Sequence, residues 1–144
     1  MNPDRQSSPH PHFICQAFDG LFFVCDLGVD KIYVYTKDLE EVEAVSLNSG
    51  RGPRHLAINR DKNLVYCANE LSSTVTVLKY KDKKLAVLEE YNTVYNNAEK
   101  NFPAAIRFVD NKLYISNRGD DSISIFNAEN QEPILRNVVP CGGA

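Results

Sequence analysis

The sequence predicts an all-β fold: three four-stranded antiparallel blades of the β-propeller kind. Three observations predict it. First, the segments PHFICQAFDGLFFVCDLGVDKIYVY, RHLAINRDKNLVYCANELSSTVTVL and AIRFVDNKLYISNRGDDSISIF align along the chain, with Asp26, Asn69 and Asn117 closing the second strand of each copy at spacings of 43 and 48 residues. Second, each copy is followed by one more β-rich run, EVEAVSLN, LAVLEEYNTV or ILRNVVP. Third, no stretch carries a helical period. Four short strands repeating every forty-odd residues are the pattern of propeller blades.

The elements follow in order. His12, His55 and Ala105 open the first strand of each copy, and the blades run over 10–48, 53–94 and 103–140. The turn to the second strand is Asp19-Gly20 in the first copy, a strong hairpin signal. Asp61-Lys62-Asn63 and Asp110-Asn111 serve the other two. Ile32, Val75 and Ile123 begin the alternation of the third strands. Asp38 to Glu41 and Lys79 to Lys84 are polar connectors to the fourth strands, and Asn96 to Asn101 is a polar loop between blades. The alternation predicts burial of Ile14, Leu56, Ile58, Ile106 and Phe108 on the inner strands. On the next strands it predicts burial of Phe23, Val24, Leu64, Tyr66, Val75, Val77, Tyr114, Ile123 and Ile125.

Composition limits the function classes. Of 144 residues, 43% are hydrophobic and 24% charged, a globular composition long enough for one core. A net charge of −3 gives no reason to expect a nucleic-acid or anionic-membrane partner. The apolar runs are far too short to span a bilayer. The start, MNPDRQSSPHPHF, has no apolar signal core, so a cytoplasmic protein is expected. Cys15, Cys25, Cys67 and Cys141 have no metal-knuckle or redox spacing. The first three lie in strand-like runs and read as small buried hydrophobes. No cofactor motif and no metal set is expected.

The repeat also separates structural residues from functional ones. Asp26, Asn69 and Asn117 recur in every copy, and short polar side chains there can bond the backbone of the following turn. The alternative is a ring of oxygen ligands for a divalent cation. Asp30, Ser73 and Asp121 also recur and read as turn chemistry. The neighbouring positions do not recur: Leu27, Glu70 and Arg118 follow the closing residues, and Pro11, Arg54 and Ala104 precede the opening ones. Packing that repeats does not explain charges that do not. With the strands ordered from axis to rim, these positions share one face beside the central channel. Glu70, Arg54 and Arg118 are therefore functional candidates, against the plainer reading of a salt bridge at the channel rim. His12 and His55 occupy equivalent positions in this alignment, which weakens each as a unique catalyst. His12 is favoured because no arginine adjoins it, and His10 is close enough in sequence to reach the channel.

The motifs SPHPHF, DLGVDKIYVY, GPRHLAI, NELSSTVTV and SNRGDDSISIF, in this order, resemble the propeller-type lactonase family. Its namesakes are the bacterial propeller 6-phosphogluconolactonases, and the fungal carboxymuconate cyclase is a related member. The resemblance extends from about Asn2 to Gly143. It implies a seven-bladed propeller that hydrolyses or forms a lactone in its central cleft. In the cyclase branch it implies a site of His, Arg, Glu and a second Arg, which fall by motif on His12 or His10, Arg54, Glu70 and Arg118. Three blades cannot close such a ring, so the chain reads as an incomplete propeller. Its end blades are expected to expose apolar faces, which self-association could cover.

Lactone hydrolysis needs an activated water and a stabilised carbonyl oxygen. Glu70 or His12 could be the general base. Arg54 and Arg118, with His10 and His55 nearby, could hold the oxyanion or an anionic group of a small lactone substrate. No Gly-x-Ser-x-Gly elbow is present, which speaks against a serine nucleophile. Two other readings stand beside this one: a metal-dependent lactonase using Asp26, Asn69 and Asn117, and a non-catalytic binding propeller.

Overall fold

The computed structural model describes residues 2–96 and 100–142. Those residues form twelve β-strands and no helix. The first sheet holds β1 (Pro11–Gln16), β2 (Phe22–Asp26), β3 (Lys31–Tyr35) and β4 (Glu41–Ser46). The second holds β5 (Pro53–Asn59), β6 (Leu64–Asn69), β7 (Thr74–Lys81) and β8 (Lys84–Asn92). The third holds β9 (Phe102–Val109), β10 (Lys112–Arg118), β11 (Ser122–Asn127) and β12 (Ile134–Pro140). Each sheet is an antiparallel meander in chain order, as blades require. The loop read at Asn96–Asn101 includes residues 97–99, which lie outside the described residues, as does Gly143 at the end of the resemblance.

Local chemistry makes the turns. Asp19 and Gly20 both have positive φ, as do Asp110 and Asn111, the backbone of a two-residue type I′ hairpin. Asp30, Ser73 and Asp121 repeat a positive φ of 50–59° between the second and third strands. Asp30 does more than turn the chain. Its carboxylate accepts the backbone N–H of Gly50 at 2.8 Å and of Gly52 at 2.7 Å, pinning the strap that enters the second sheet.

The core lies between sheets. Phe23, Cys25, Ile32 and Val34 of the first sheet pack on Leu56, Val65, Cys67 and Leu78 of the second. Tyr66, Ala68, Val75 and Val77 on the other face of the second sheet pack on Ile106, Leu113, Ile115 and Phe126 of the third. The second sheet is covered on both faces, so all six residues of β6 are buried. The first and third are covered on one face each, and β2 and β10 alternate accordingly.

That difference corrects part of the expected core. Ile14, Leu56 and Ile106 hold equivalent places opposite Val24, Cys67 and Ile115. Leu56 and Ile106 are buried, whereas Ile14 is 55% exposed because no described sheet lies on its side. Ile123, equivalent to the buried Val75, is 37% exposed on the outer face of the third sheet for the same reason. Val24, Tyr114 and Ile125 on these outer faces are half-buried. So are Ile58 and Phe108, which pack at the edges of the two clusters. Cys25 and Cys67 are buried, Cys15 half-buried and Cys141 exposed, all as free thiols.

Candidate active site

Each inner strand begins the same way. Pro11, Pro53 and Pro103 pair with Asp26, Asn69 and Asn117. Pro11 and Pro53 stand first in their strands and Pro103 second in β9, and a proline is tolerated at the start of a strand. The register then slips by one residue just after the proline, a bulge of the kind that re-aims a side chain. The bulge sets the equivalences. His12 matches Arg54 and Ala104, while His55 matches Phe13. The alignment of His12 with His55 is one residue out because the first hairpin has the shorter turn: Ile14 pairs with Val24, ten positions on, and Leu56 with Cys67, eleven positions on. His12 and Arg54 thus hold the same non-repeating position in neighbouring blades.

The repeating residues bond chiefly within their own blades, although Asn117 Oδ1 accepts from Asn101 Nδ2 at 3.3 Å and Asn69 Oδ1 is buried without a partner among the described residues. Asp26 Oδ1 accepts the N–H groups of His10 (2.7 Å) and Gly28 (2.9 Å). Asn69 Nδ2 donates to the Thr74 and Thr76 hydroxyls, and Asn117 Nδ2 to those of Ser122 and Ser124. These contacts are what a residue recurring in every blade is for. Among the described residues, no three His, Cys, Asp or Glu side chains gather as a metal-binding group.

Glu70 is the centre of the non-repeating set. Its backbone N–H donates to the Gly52 carbonyl at 2.9 Å, tying it to the entrance of β5. Gly52 has a positive φ, and a Cβ there would run into the Leu71 side chain. The Glu70 side chain is 1% exposed. Oε2 receives Arg54 Nε and lies next to Arg118 Nη2, both at 2.7 Å. Oε1 faces Arg5 Nη1, also at 2.7 Å, without the alignment of a hydrogen bond. Burial pushes the Glu70 carboxyl pKa up, but Arg118, Arg5 and Arg54 together outweigh it and hold the group below its ordinary value.

The expected trio of Arg54, Glu70 and Arg118 is therefore together. Arg5 was not foreseen. It precedes the first strand and belongs to no repeat, so neither alternation nor blade symmetry points to it. The chain around it is tightly docked. Gln6 is buried, its Nε2 donates to the Leu27 carbonyl at 3.0 Å, and its Oε1 accepts the Asn2 N–H at 2.8 Å. The backbone of Ser8 crosses directly over Gly28, where a side chain would collide with the Ser8 carbonyl.

Three histidines surround this cluster differently. His12 is half-buried, and burial followed by the Arg54 charge lowers its pKa, with Glu70 opposing. Its imidazole is therefore neutral at pH 7 and able to accept a proton. His10 is exposed, with its ring 6.0 Å from that of His12. His55 packs at a tilt against Phe13, ring centroids 3.9 Å apart, and its Nε2 lies 3.2 Å from Arg107 Nη1. Burial, then Arg107, Arg54 and His12, push its pKa down to about 4. Wedged against Phe13 and Arg107, it packs between the inner strands.

Comparison with known proteins agrees with this architecture. The model of the family "Lactonase, 7-bladed beta-propeller" matches residues 1–144. A Staphylococcus epidermidis protein of uncharacterized function is 36% identical over 142 aligned positions, covering 94% of this chain and 42% of the relative. A Lactobacillus plantarum crystal structure superposes with a TM-score of 0.91 at 31% identity, over 97% of this chain and 44% of that one. A Bacteroides fragilis protein provisionally assigned as a 6-phosphogluconolactonase gives 0.86 at 28% identity, over 99% of this chain and 45% of its own. The chain thus spans less than half the length of the relatives it matches. With three blades in meander order and the family's motifs in sequence, it belongs to the seven-bladed β-propeller lactonases.

Proposed function

We propose that this chain carries the site of a lactone hydrolase acting on a sugar-acid lactone with an anionic group, 6-phosphogluconolactone being the first candidate. The observation that carries the reading is a neutral imidazole, His12, beside an arginine cluster around one buried carboxylate. His12 takes a proton from water as the water oxygen attacks the lactone carbonyl carbon. The carbonyl electron pair moves onto its oxygen, where Arg54 or Arg118 donates a charge-assisted hydrogen bond. On collapse the ring C–O bond breaks, and the imidazolium returns the proton to the departing alkoxide, giving the open hydroxy acid. Glu70, held ionised by three arginines, is a weak base and serves to orient them. Family membership and the Bacteroides relative support the reaction class. A cytoplasmic setting, where phosphorylated sugars occur, goes with the reading.

The test is lactone turnover above the spontaneous rate, followed with 6-phosphogluconolactone and with unphosphorylated δ-gluconolactone, each with and without a chelator. Turnover that survives chelation and is lost in His12→Asn is the expected result. Absence of turnover would move the reading to a binding propeller, and loss on chelation to a metal-dependent lactonase.

A further inference from the structure

We propose that Arg5 is a specificity-determining residue: the third arginine of an oxyanion-binding subsite, delivered to it by the arm Asn2–Gln6 that precedes the first strand. The first argument is charge. Arg5, Arg54 and Arg118 all reach Glu70 at 2.7 Å. Among the described residues, no other carboxylate lies within ion-pair distance of any of them. One carboxylate neutralises one guanidinium, so the cluster keeps a surplus of two positive charges. Each guanidinium has five N–H donors in a rigid fork. Each has one nitrogen in contact with Glu70, which leaves donors for a second, exogenous anion.

The second argument is access. Glu70 is 1% exposed, but Arg5 is 40% exposed and Arg118 53% exposed. The carboxylate is the buried anchor, Arg54 is 19% exposed, and Arg5 and Arg118 present their outer donors to solvent. A planar fork held on one edge by a fixed carboxylate is preorganised for a carboxylate or phosphate on the other.

The third argument is the construction of the arm. An arginine serving only to neutralise Glu70 would need no particular support. Instead Asn2 to Gln6 closes on itself through the Asn2–Gln6 bonds, and Gln6 is buried on the Leu27 carbonyl. Gly28 leaves the room that the Ser8 backbone needs. Leu27 and Gly28 follow Asp26 in the first blade, as Glu70 and Leu71 follow Asn69 in the second. The first blade therefore uses the place where its neighbour puts an acid to seat the segment that brings Arg5 to that acid.

The inference rests on the lactonase reading for placing the reacting carbonyl nearby. Its test reads binding, so the two can fail separately. Titration calorimetry at low ionic strength would use inorganic phosphate and D-gluconate as probes, with circular dichroism confirming the fold of each variant. Wild-type protein should bind at least one of them, and which one separates a phosphate from a carboxylate as the recognised group. Arg5→Ala should weaken that binding about tenfold or more, the scale of a charged hydrogen bond, and Arg5→Lys should recover part of it. Gly28→Ala keeps Arg5 but displaces the arm, and should weaken binding similarly. Failure of wild-type protein to bind either probe, or unchanged affinity in Arg5→Ala, would overturn the subsite. Unchanged affinity in Gly28→Ala would overturn delivery by the arm.

Discussion

Arg54 Nε donates to Glu70 Oε2 at 2.7 Å, joining the two open ends of a single hairpin. The pairing depends on a bulge at one end and a turn at the other. The bulge after Pro53 re-aims Arg54, and the Gly52 carbonyl holds the Glu70 backbone.

Breaking this pair should be felt first as stability. Glu70→Gln keeps the shape but leaves three guanidinium groups without their counter-charge. Removing one partner of a fully buried ion pair costs about 3–5 kcal/mol. The arginines here are partly solvated and can turn outward, so about 1–3 kcal/mol is expected. The sign with pH follows from the depressed Glu70 pKa. The stabilisation is present above the unfolded carboxyl pKa and is lost as pH falls through the lower folded one. Urea midpoints across the acid range should show this loss in the wild type and not in Glu70→Gln. A variant as stable as the wild type at pH 7 would mean that the cluster is energetically idle.

The rate should report His12 instead. Its pKa is lowered, so with His12 as base the acid limb of kcat/KM should fall below the ordinary histidine value of about 6.5. Arg54→Ala removes a positive neighbour and should move that limb upward. Glu70→Gln removes a negative one and should move it down. Measured pH–rate profiles that ignored both substitutions would exclude His12 as the titrating base.

His55 gives a separate acid signature. Its folded pKa of about 4 lies below the unfolded value, so the unfolded chain binds more protons between the two. Its stabilisation is complete above about pH 6.5 and is lost as pH falls toward 4. The matching position of the first blade holds Phe13, which makes His55→Phe a natural control. Denaturation midpoints of that variant should vary less over the same range. An identical slope would assign the acid sensitivity elsewhere.

Equivalent positions should also differ in mechanical importance. Ile106→Ala empties a site packed against the second sheet and should cost about 2–5 kcal/mol. Ile14→Ala, at the equivalent exposed place, should stay within about 0.5 kcal/mol. Equal losses in chemical denaturation would mean that the outer face of the first sheet is covered in solution.

What could be read from the chain follows from how local each signal is. Asp19-Gly20, Asp110-Asn111 and the two-residue alternation are short-range, and they account for the meander and for most of the inter-sheet core. Arg54, Glu70 and Arg118 were visible because they break a repeat that is otherwise regular. The one-residue slip at His12 was hidden, because it arises in a first-hairpin turn one residue shorter than the second, and alternation on either side of a turn does not fix the turn's length. Arg5 was hidden because it lies outside the strands and its partner is 65 residues away, just after β6. Ile14 and Ile123 carry the apolar character of a covered face, and alternation cannot say whether a neighbour covers it.

One carboxylate collects arginines from the arm before the first sheet, from the second sheet and from the third. Glu70 meets all three arginines only when these modules are docked, and a buried carboxylate short of its partners is heavily penalised. The site is thus an assembly checkpoint. A chain whose blades have stacked in the wrong order, or have not yet stacked, lacks the charge cluster.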